Sequence, residues 1–463
     1  MNVEKGRMKM KRMLIGSAVS LVCGAVCAGV SPERMEWFKD QKLALMMHFG
    51  LYTQPGIIES WPLSDRDAHW ARIEVERDVA TNGFKEAYYA LNRSFNPVRF
   101  RPEEWADEAV RGGFKYVIFT TKHHDGFCLY DTKYTDYKTT DKACPFSMNP
   151  NADIVKAYFE ACRKRGLGIG AYFSKADWHH DDYWEDRGIG HVTDRGVTYD
   201  TKAQPEKWSR FKAFFRNQLL ELVSGYGPLD IVWLDGGWMK KGGNMDLNIE
   251  SVIAEARKTT PGLIAVDREG GSACEDVRTP EQFVPGAANS NAWESCMTMA
   301  DNWGYHYDDF YKSSRQLIHM LIDVVAKGGN LALNVGPMPD GRLPRPAVER
   351  MREMGSWLNR FGVAIYGTRP VAPCRIGEWA FTRGKDGTVY AIRLWGETTP
   401  ATTMFIRRNA LTDKSKALRH LTTGERFPLR QIDNPALGEF GMAFDLPVGF
   451  QRDKYADVFV LQW

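Results

Sequence analysis

The stretch DIVWLDGGW, Asp230 to Trp238, sets four apolar residues between two aspartates and follows the second with glycine. Asp235 would leave a buried strand with open backbone beside it, as a nucleophile or general acid requires. The same arrangement recurs. Apolar runs end at His48 in LALMMHFGLY, at His123, His124 and Asp125 in KYVIFTTKHHDGF, and at Tyr172, Lys175 and Asp177 in LGIGAYFSKAD. Trp233 and Asp235 end a fourth run, and Asp267, Arg268 and Glu269 a fifth, in LIAVDRE. Further carboxylates follow at Glu275, Asp276, Glu281 and Glu294. Two chemistries use such a set. His48, His123, His124 and Asp235 are ligand types for a divalent metal. However, the chain has no H-x-H or H-E-x-x-H spacing, and adjacent histidines on a strand point to opposite faces unless the strand has ended. Glycoside hydrolysis with retention needs instead a carboxylate nucleophile and a carboxylic acid about 5 Å apart, with hydrogen-bonding groups around the sugar hydroxyls. The plain alternative for Asp235 is a turn cap, which Asp before Gly often provides.

These residues converge only if the runs that carry them are neighbouring parallel strands. The order supports that. WADEAVRGGF, DIVKAYFEACRKRG, RFKAFFRNQLLELVSGYG, IESVIAEARKTTPG and SSRQLIHMLIDVVAKGG read as helices, each followed by a short apolar run, the last of them NLALNVGP. Continuous apolar strands alternating with amphipathic helices predict a parallel sheet covered by helices. The number of units predicts a closed (β/α)8-like barrel, whose working residues sit at the C-terminal ends of the strands. No glycine-rich dinucleotide fingerprint follows the first run.

Near Gly367 the pattern changes to turn-rich sequence and then to WAFTR, TVYAIRLW, TTMFIRR and DVFVLQW, a predicted antiparallel β-sandwich. The domains expected are a signal peptide over 1–28, a catalytic barrel over 29–366 and the sandwich over 367–463. The signal peptide rests on a basic start, MNVEKGRMKMKR, an apolar core, MLIGSAVSLVCGAV, and small residues before Gly29. Export to the periplasm or medium follows, with no membrane span, because the apolar run is short. With 61 Lys+Arg against 58 Asp+Glu, nothing argues for a nucleic-acid partner. Six cysteines lie beyond the leader without metal-site spacing and are expected as free, buried thiols.

The pieces HFGLYT, TTKHHDGFCLYDTKYTDY, GIGAYFSKADW, DIVWLDGGW, AVDRE, RTPEQF, WESCMTM and LALNVGPMPDGRLP, in this order, resemble the α-L-fucosidases of glycoside hydrolase family 29. The resemblance runs from about Met35 to Pro346. It implies a retaining exo-glycosidase on a (β/α) barrel with a C-terminal β-sandwich, acting on terminal α-L-fucosyl linkages of glycans without metal or organic cofactor. It implies Asp235 as nucleophile and His48, His123 and His124 as holders of the sugar hydroxyls. Tyr172 and Trp233 would lie beside the sugar, and Arg268 near the nucleophile. For the general acid it offers Glu281 in RTPEQF and Glu294 in AWESC, with Glu281 preferred. Many members carry Glu-Trp-Tyr after the first strand. Here the chain reads IIESWPLS, so Glu59 and Trp61 stand in at altered spacing. The altered segment leaves open whether C5 bears methyl or hydroxymethyl, and so leaves an α-L-galactosidase as one alternative; a non-catalytic carbohydrate-binding protein is the other.

Overall fold

The structure is a computed structural model and describes residues 29–72, 83–397, 402–434 and 439–463. The predicted leader lies outside the described residues. Seven strands form one parallel sheet: β1 Leu43–Met47, β2 Tyr116–Lys122, β3 Gly168–Ser174, β4 Ile231–Asp235, β5 Ile264–Asp267, β6 Glu294–Thr298 and β7 Asn330–Val335. Their order is β5-β4-β3-β2-β1-β7-β6. Every residue of these strands is buried. That is why their sequences run apolar instead of alternating: helices cover the outer face and side chains fill the inner one.

The covering helices include Pro102–Arg111, Ile154–Arg163, Pro205–Gly225, Ile249–Thr259, Ser314–Ala326 and Arg345–Phe361. Their starts are local. Asp153 accepts a hydrogen bond from the Lys156 amide, and Ser313 with Gln316 forms a reciprocal capping box. The helix Arg345–Phe361 had no counterpart in the sequence reading.

The sheet curls as a barrel does, but the eighth stave is not a strand. Between β5 and β6 the irregular segment 276–281 binds both neighbours. The Asp276 amide donates to the Ala265 carbonyl at 2.9 Å, and the Cys296 amide donates to the Pro280 carbonyl at 3.1 Å. Isolated parallel bridges join Arg278 to Trp293 and Glu281 to Cys296. Pro280 has no N–H to give, so a regular ladder is interrupted there while its carbonyl still accepts. The expected (β/α)8-like barrel is present, built of seven strands and an irregular closing segment.

The six-residue run WESCMT contains β6. The consequence falls on Glu294. It opens β6, opposite Asn330 at the start of β7, and so lies at the end of the barrel away from the strand C-termini.

Two antiparallel sheets follow. One has six strands, three of them at Arg369–Ile376, Trp379–Arg383 and Ala456–Gln462; the other has three, Thr403–Arg407, Arg430–Asn434 and Glu439–Asp445. Trp379, Phe381, Phe427, Phe444 and Phe459 fill the core between them. The turn-rich segment 367–378 includes the strand Arg369–Ile376, whose pairing is irregular between Pro370 and Arg375. The barrel helices clasp this unit: Trp357 Nε1 donates to the Ala456 carbonyl at 2.9 Å, and Arg315 Nη1 to the Trp395 carbonyl at 2.6 Å.

Candidate active site

A cavity opens at the C-terminal ends of the strands. Its lining includes His48, His123, Tyr172, Trp233, Asp235, Arg268 and Glu281, together with Glu59, Trp61 and Trp303. Strand registry brings them together. Tyr172 pairs with Trp233 and Ser174 with Asp235 across β3 and β4, while Leu234 pairs with Asp267, the residue before Arg268.

Both oxygens of Asp235 are engaged. Tyr172 Oη donates to Oδ2 at 2.6 Å. Arg268 Nη1 donates to Oδ1 at 3.0 Å, and the Gly236 amide to the same oxygen at 2.8 Å. Burial alone would raise the Asp235 pKa, but the Arg268 charge first, then the hydrogen bonds from Tyr172 and the Gly236 amide, act against it. They hold the carboxyl well below the usual range, so it is ionised. Gly236 adopts φ +109°, a conformation a side chain would strain. A Cβ on Gly237 would stand 3.1 Å from the Arg268 carbonyl. The two glycines let the chain turn away at once, leaving the carboxylate facing the cavity.

The second arm of Arg268 is ion-paired with Glu281, Nη2 to Oε2. One guanidinium therefore grips both carboxylates, its two arms splayed as a fork. Glu281 arrives on the irregular closing segment, not on a strand end. Its side chain is 35% exposed, against 11% for Asp235, so of the two it is the more accessible to solvent.

The histidines are neutral. Burial is the leading cause in each: it brings His48 and His124 down to about 4 and His123 well below its ordinary value. β2 ends at Lys122, so the adjacent rings of His123 and His124 escape strand alternation and lie 4.3 Å apart between centroids. Each Nδ1 is held, His48 by Asn334 Oδ1 at 2.8 Å, His123 by Ser60 Oγ at 2.6 Å and His124 by Ser174 Oγ at 2.7 Å. Asn334 spends its Nδ2 on the Trp303 carbonyl, so it presents an acceptor to His48. His48 thus carries its proton on Nδ1 and keeps Nε2 as an acceptor for a ligand hydroxyl. Ser174 donates to the Ala176 carbonyl, which fixes His124 in the same tautomer; its Nε2 is buried without a hydrogen bond, 3.7 Å from Asp235 Oδ2.

Glu294 is not in this cavity. It is buried among the first residues of the strands, where Tyr116 Oη donates to its Oε2. Burial pushes its pKa up to about 7, more than the Tyr116 hydrogen bond lowers it. The sequence missed Trp303, Cys296 and Met46, which line the cavity. Cys296 belongs to β6, which its own composition does not announce, and Trp303 to the irregular segment after it. Lys175 and Asp177, gathered as strand-end polar residues, turn elsewhere: Lys175 pairs with Asp267 at 2.7 Å and Asp177 with Lys122 at 3.0 Å. Among the described residues no group of three or more His, Cys, Asp or Glu is placed to hold a metal ion.

A curled parallel barrel with an ionised carboxylate at a strand end and a second carboxylate on the same guanidinium suits glycoside hydrolysis. A family model described as Alpha-L-fucosidase matches residues 29–363, and the chain belongs to that family. It is 30% identical over 387 residues to the plasma alpha-L-fucosidase of Homo sapiens, covering 77% of this chain and 75% of that one. The alpha-L-fucosidase of Dictyostelium discoideum is 28% identical over 377 residues, covering 77% of each chain. Among solved structures, alpha-L-fucosidase isoenzyme 1 of Paenibacillus thiaminolyticus superposes with a TM-score of 0.75 at 29% identity, covering 93% of this chain and 98% of that one. An alpha-L-fucosidase of Bacteroides thetaiotaomicron, solved as a trapped covalent intermediate with 2-fluoro-fucosyl fluoride, does so at 0.75 and 26% identity, over 93% of this chain and 96% of that one. The covalent intermediate of this relative supports a retaining reaction for the family.

Proposed function

We propose that the protein is an exported, exo-acting, retaining α-L-fucosidase in which Asp235 is the nucleophile and Glu281 the acid/base. The observation that carries this is the shared guanidinium: Arg268 binds Asp235 and Glu281 at one cavity. In the first step an Asp235 oxygen bonds to C1 of the fucosyl residue as the C1–oxygen bond to the aglycone breaks, and Glu281 gives its proton to the leaving oxygen. In the second, water adds to C1, Glu281 takes the water's proton, and the Asp235 ester bond breaks. Tyr172 and Arg268 keep Asp235 ionised and aimed. His48, His123 and His124 take the sugar hydroxyls, and Trp61 and Trp233 flank the ring.

Apolar lining from Met46 and Trp233, with the Cys296 thiol, favours a C5 methyl group over hydroxymethyl. A single added hydroxyl in such a pocket is discriminated by about 1–3 kcal/mol, so α-L-galactosides are expected as slow substrates. Export rests on the basic-apolar-small order of residues 1–28, with cleavage after Ala28. No helix among the described residues is long and apolar enough to cross a membrane.

The test is to inactivate the enzyme with 2-fluoro-fucosyl fluoride, digest it and locate the label. Attachment at Asp235 is expected; attachment at another carboxylate removes it as the nucleophile. For Glu281→Ala, turnover of fucosyl oligosaccharides should collapse while an activated aryl fucoside still reacts, with azide restoring the rate. Near-normal turnover of both, with no response to azide, removes Glu281 from the role.

A further inference from the structure

The cavity around Asp235 widens outward into a bowl of ≈ 340 Å³. Both share Glu59, Trp61, Asp235, Arg268, Glu281 and Trp303. A group bonded to the anomeric oxygen of a sugar held at Asp235 therefore emerges into the bowl.

The bowl has an aromatic wall. Trp61 packs against Trp70 at 6.0 Å and against Trp238 at 5.9 Å between ring centroids. Trp61 and Trp238 are half-buried, whereas Trp70 is 44% exposed. The wall is braced: the Arg195 guanidinium stands 5.2 Å from the Trp61 ring and 5.4 Å from the Trp238 ring, and Asp67 holds it by ion pairing. Trp70 is thus an indole mounted on a rigid aromatic base with its own surface uncovered at a concave site. The remaining lining carries exposed carboxylates, Glu269 and Asp301, and the amide of Asn302.

We propose that Trp70 is the stacking platform on which the pyranose ring of the leaving sugar rests in this bowl, and that the bowl favours a neutral ring over an anionic one. The inference rests on the fucosidase reading of the inner cavity. An indole face buries the C–H face of a pyranose, while hydroxyls at the ring edge need the acceptors that Glu269, Asp301 and Asn302 supply. Among the described residues both cations of the bowl are engaged, Arg195 by Asp67 and Arg268 by Asp235 and Glu281. An anionic aglycone would meet the field of Glu269 and Asp301 with no uncommitted cation among those residues to answer it.

The experiment compares two substrates. α-L-Fucosyl fluoride has a one-atom leaving group and makes no use of the bowl. Fucosyl-(α1→2)-lactose and fucosyl-(α1→3)-N-acetylglucosamine fill it, and the better of the two is the reporter. If wild-type enzyme fails to hydrolyse the fluoride, the fucosidase reading itself fails. If it hydrolyses the fluoride but neither glycan, the subsite fails alone. Given both activities, Trp70→Ala should lower the ratio of kcat/KM for glycan over fluoride at least tenfold, mainly through KM, and Trp70→Phe should restore most of it. Equal factors on both substrates, or no advantage of Phe over Ala, overturn the platform. A sulfated form of the same glycan should be turned over at least threefold more slowly at low salt; equal or faster turnover overturns the choice of a neutral sugar.

Discussion

Arg268 and Asp235 form an ion pair in the cavity at the C-terminal ends of the strands, Nη1 to Oδ1 at 3.0 Å, with side-chain exposures of 20% and 11%. Asp235 is thereby kept ionised in surroundings that would otherwise favour its neutral form. The other arm of the guanidinium restrains Glu281.

Removing that cation should be costly and should move the pH profile. In Arg268→Met, burial acts on Asp235 with its main opposing charge gone, so its pKa rises. The acid limb of kcat/KM should shift to higher pH, and the plateau should fall about 100-fold or more, as for loss of a preorganised electrostatic partner. A pH-rate profile with fluorogenic fucoside checks both. An acid limb at the wild-type pH would show that Arg268 does not govern this ionisation.

Tyr172→Phe deletes one 2.6 Å donor to Asp235 Oδ2 and keeps the ring, which stacks on Trp233 at 5.4 Å. The expected loss in kcat is tenfold or more with about 1 kcal/mol of stability, the usual net worth of one hydrogen bond. Steady-state kinetics alongside urea denaturation separates the two effects.

His48 gives a stability test with a definite sign. Its pKa is about 4 folded against 6.5 in the free side chain, with burial the first cause. The unfolded chain then binds a proton that the folded chain refuses, so this group costs nothing above pH 6.5 and progressively destabilises as pH falls from 6.5 to 4. The difference in unfolding free energy between wild type and His48→Gln should move against wild type by about 1.4 kcal/mol per pH unit at most across that window. Urea midpoints at pH 7.5 and 4.5 measure it, and other titrating groups cancel in the comparison.

Glu294 gives the opposite sign. Its pKa is about 7 folded against 4.5 in the free side chain, again chiefly from burial. Its contribution is fully present below pH 4.5 and is lost as pH rises toward 7, because the unfolded chain ionises first. Glu294→Gln should therefore gain stability relative to wild type between pH 4.5 and 7. It should also keep its activity within a few-fold, since the residue is buried at the other end of β6. A 1,000-fold loss of kcat without unfolding would return it to the catalytic role.

Much of the fold was legible because parallel strands and their covering helices write themselves locally. IVWLD and YVIFTTK are continuous apolar runs, and the helix Ile154–Arg163 between them opens on an Asp153 cap. β6 escaped because its burial comes from pairing with β7 and not from its own composition. The closing segment escaped because its hydrogen bonds go to partners on either side, while Pro280 breaks any periodic signal.

At the site, residue types and strand ends selected Asp235, His48, His123, His124, Tyr172, Trp233 and Arg268 as candidates, since a strand determines where its last side chain stands. Whether Glu281 or Glu294 could meet Asp235 was a question of distance through space. Only the tertiary structure decided it, by sending β6 away from the cavity at Glu294 and bringing Glu281 in on an irregular stave to the free arm of Arg268. Local sequence encodes which backbone forms and which face is buried; the meeting of two carboxylates on one guanidinium depends on how the ring closes, and no window of the sequence contains that.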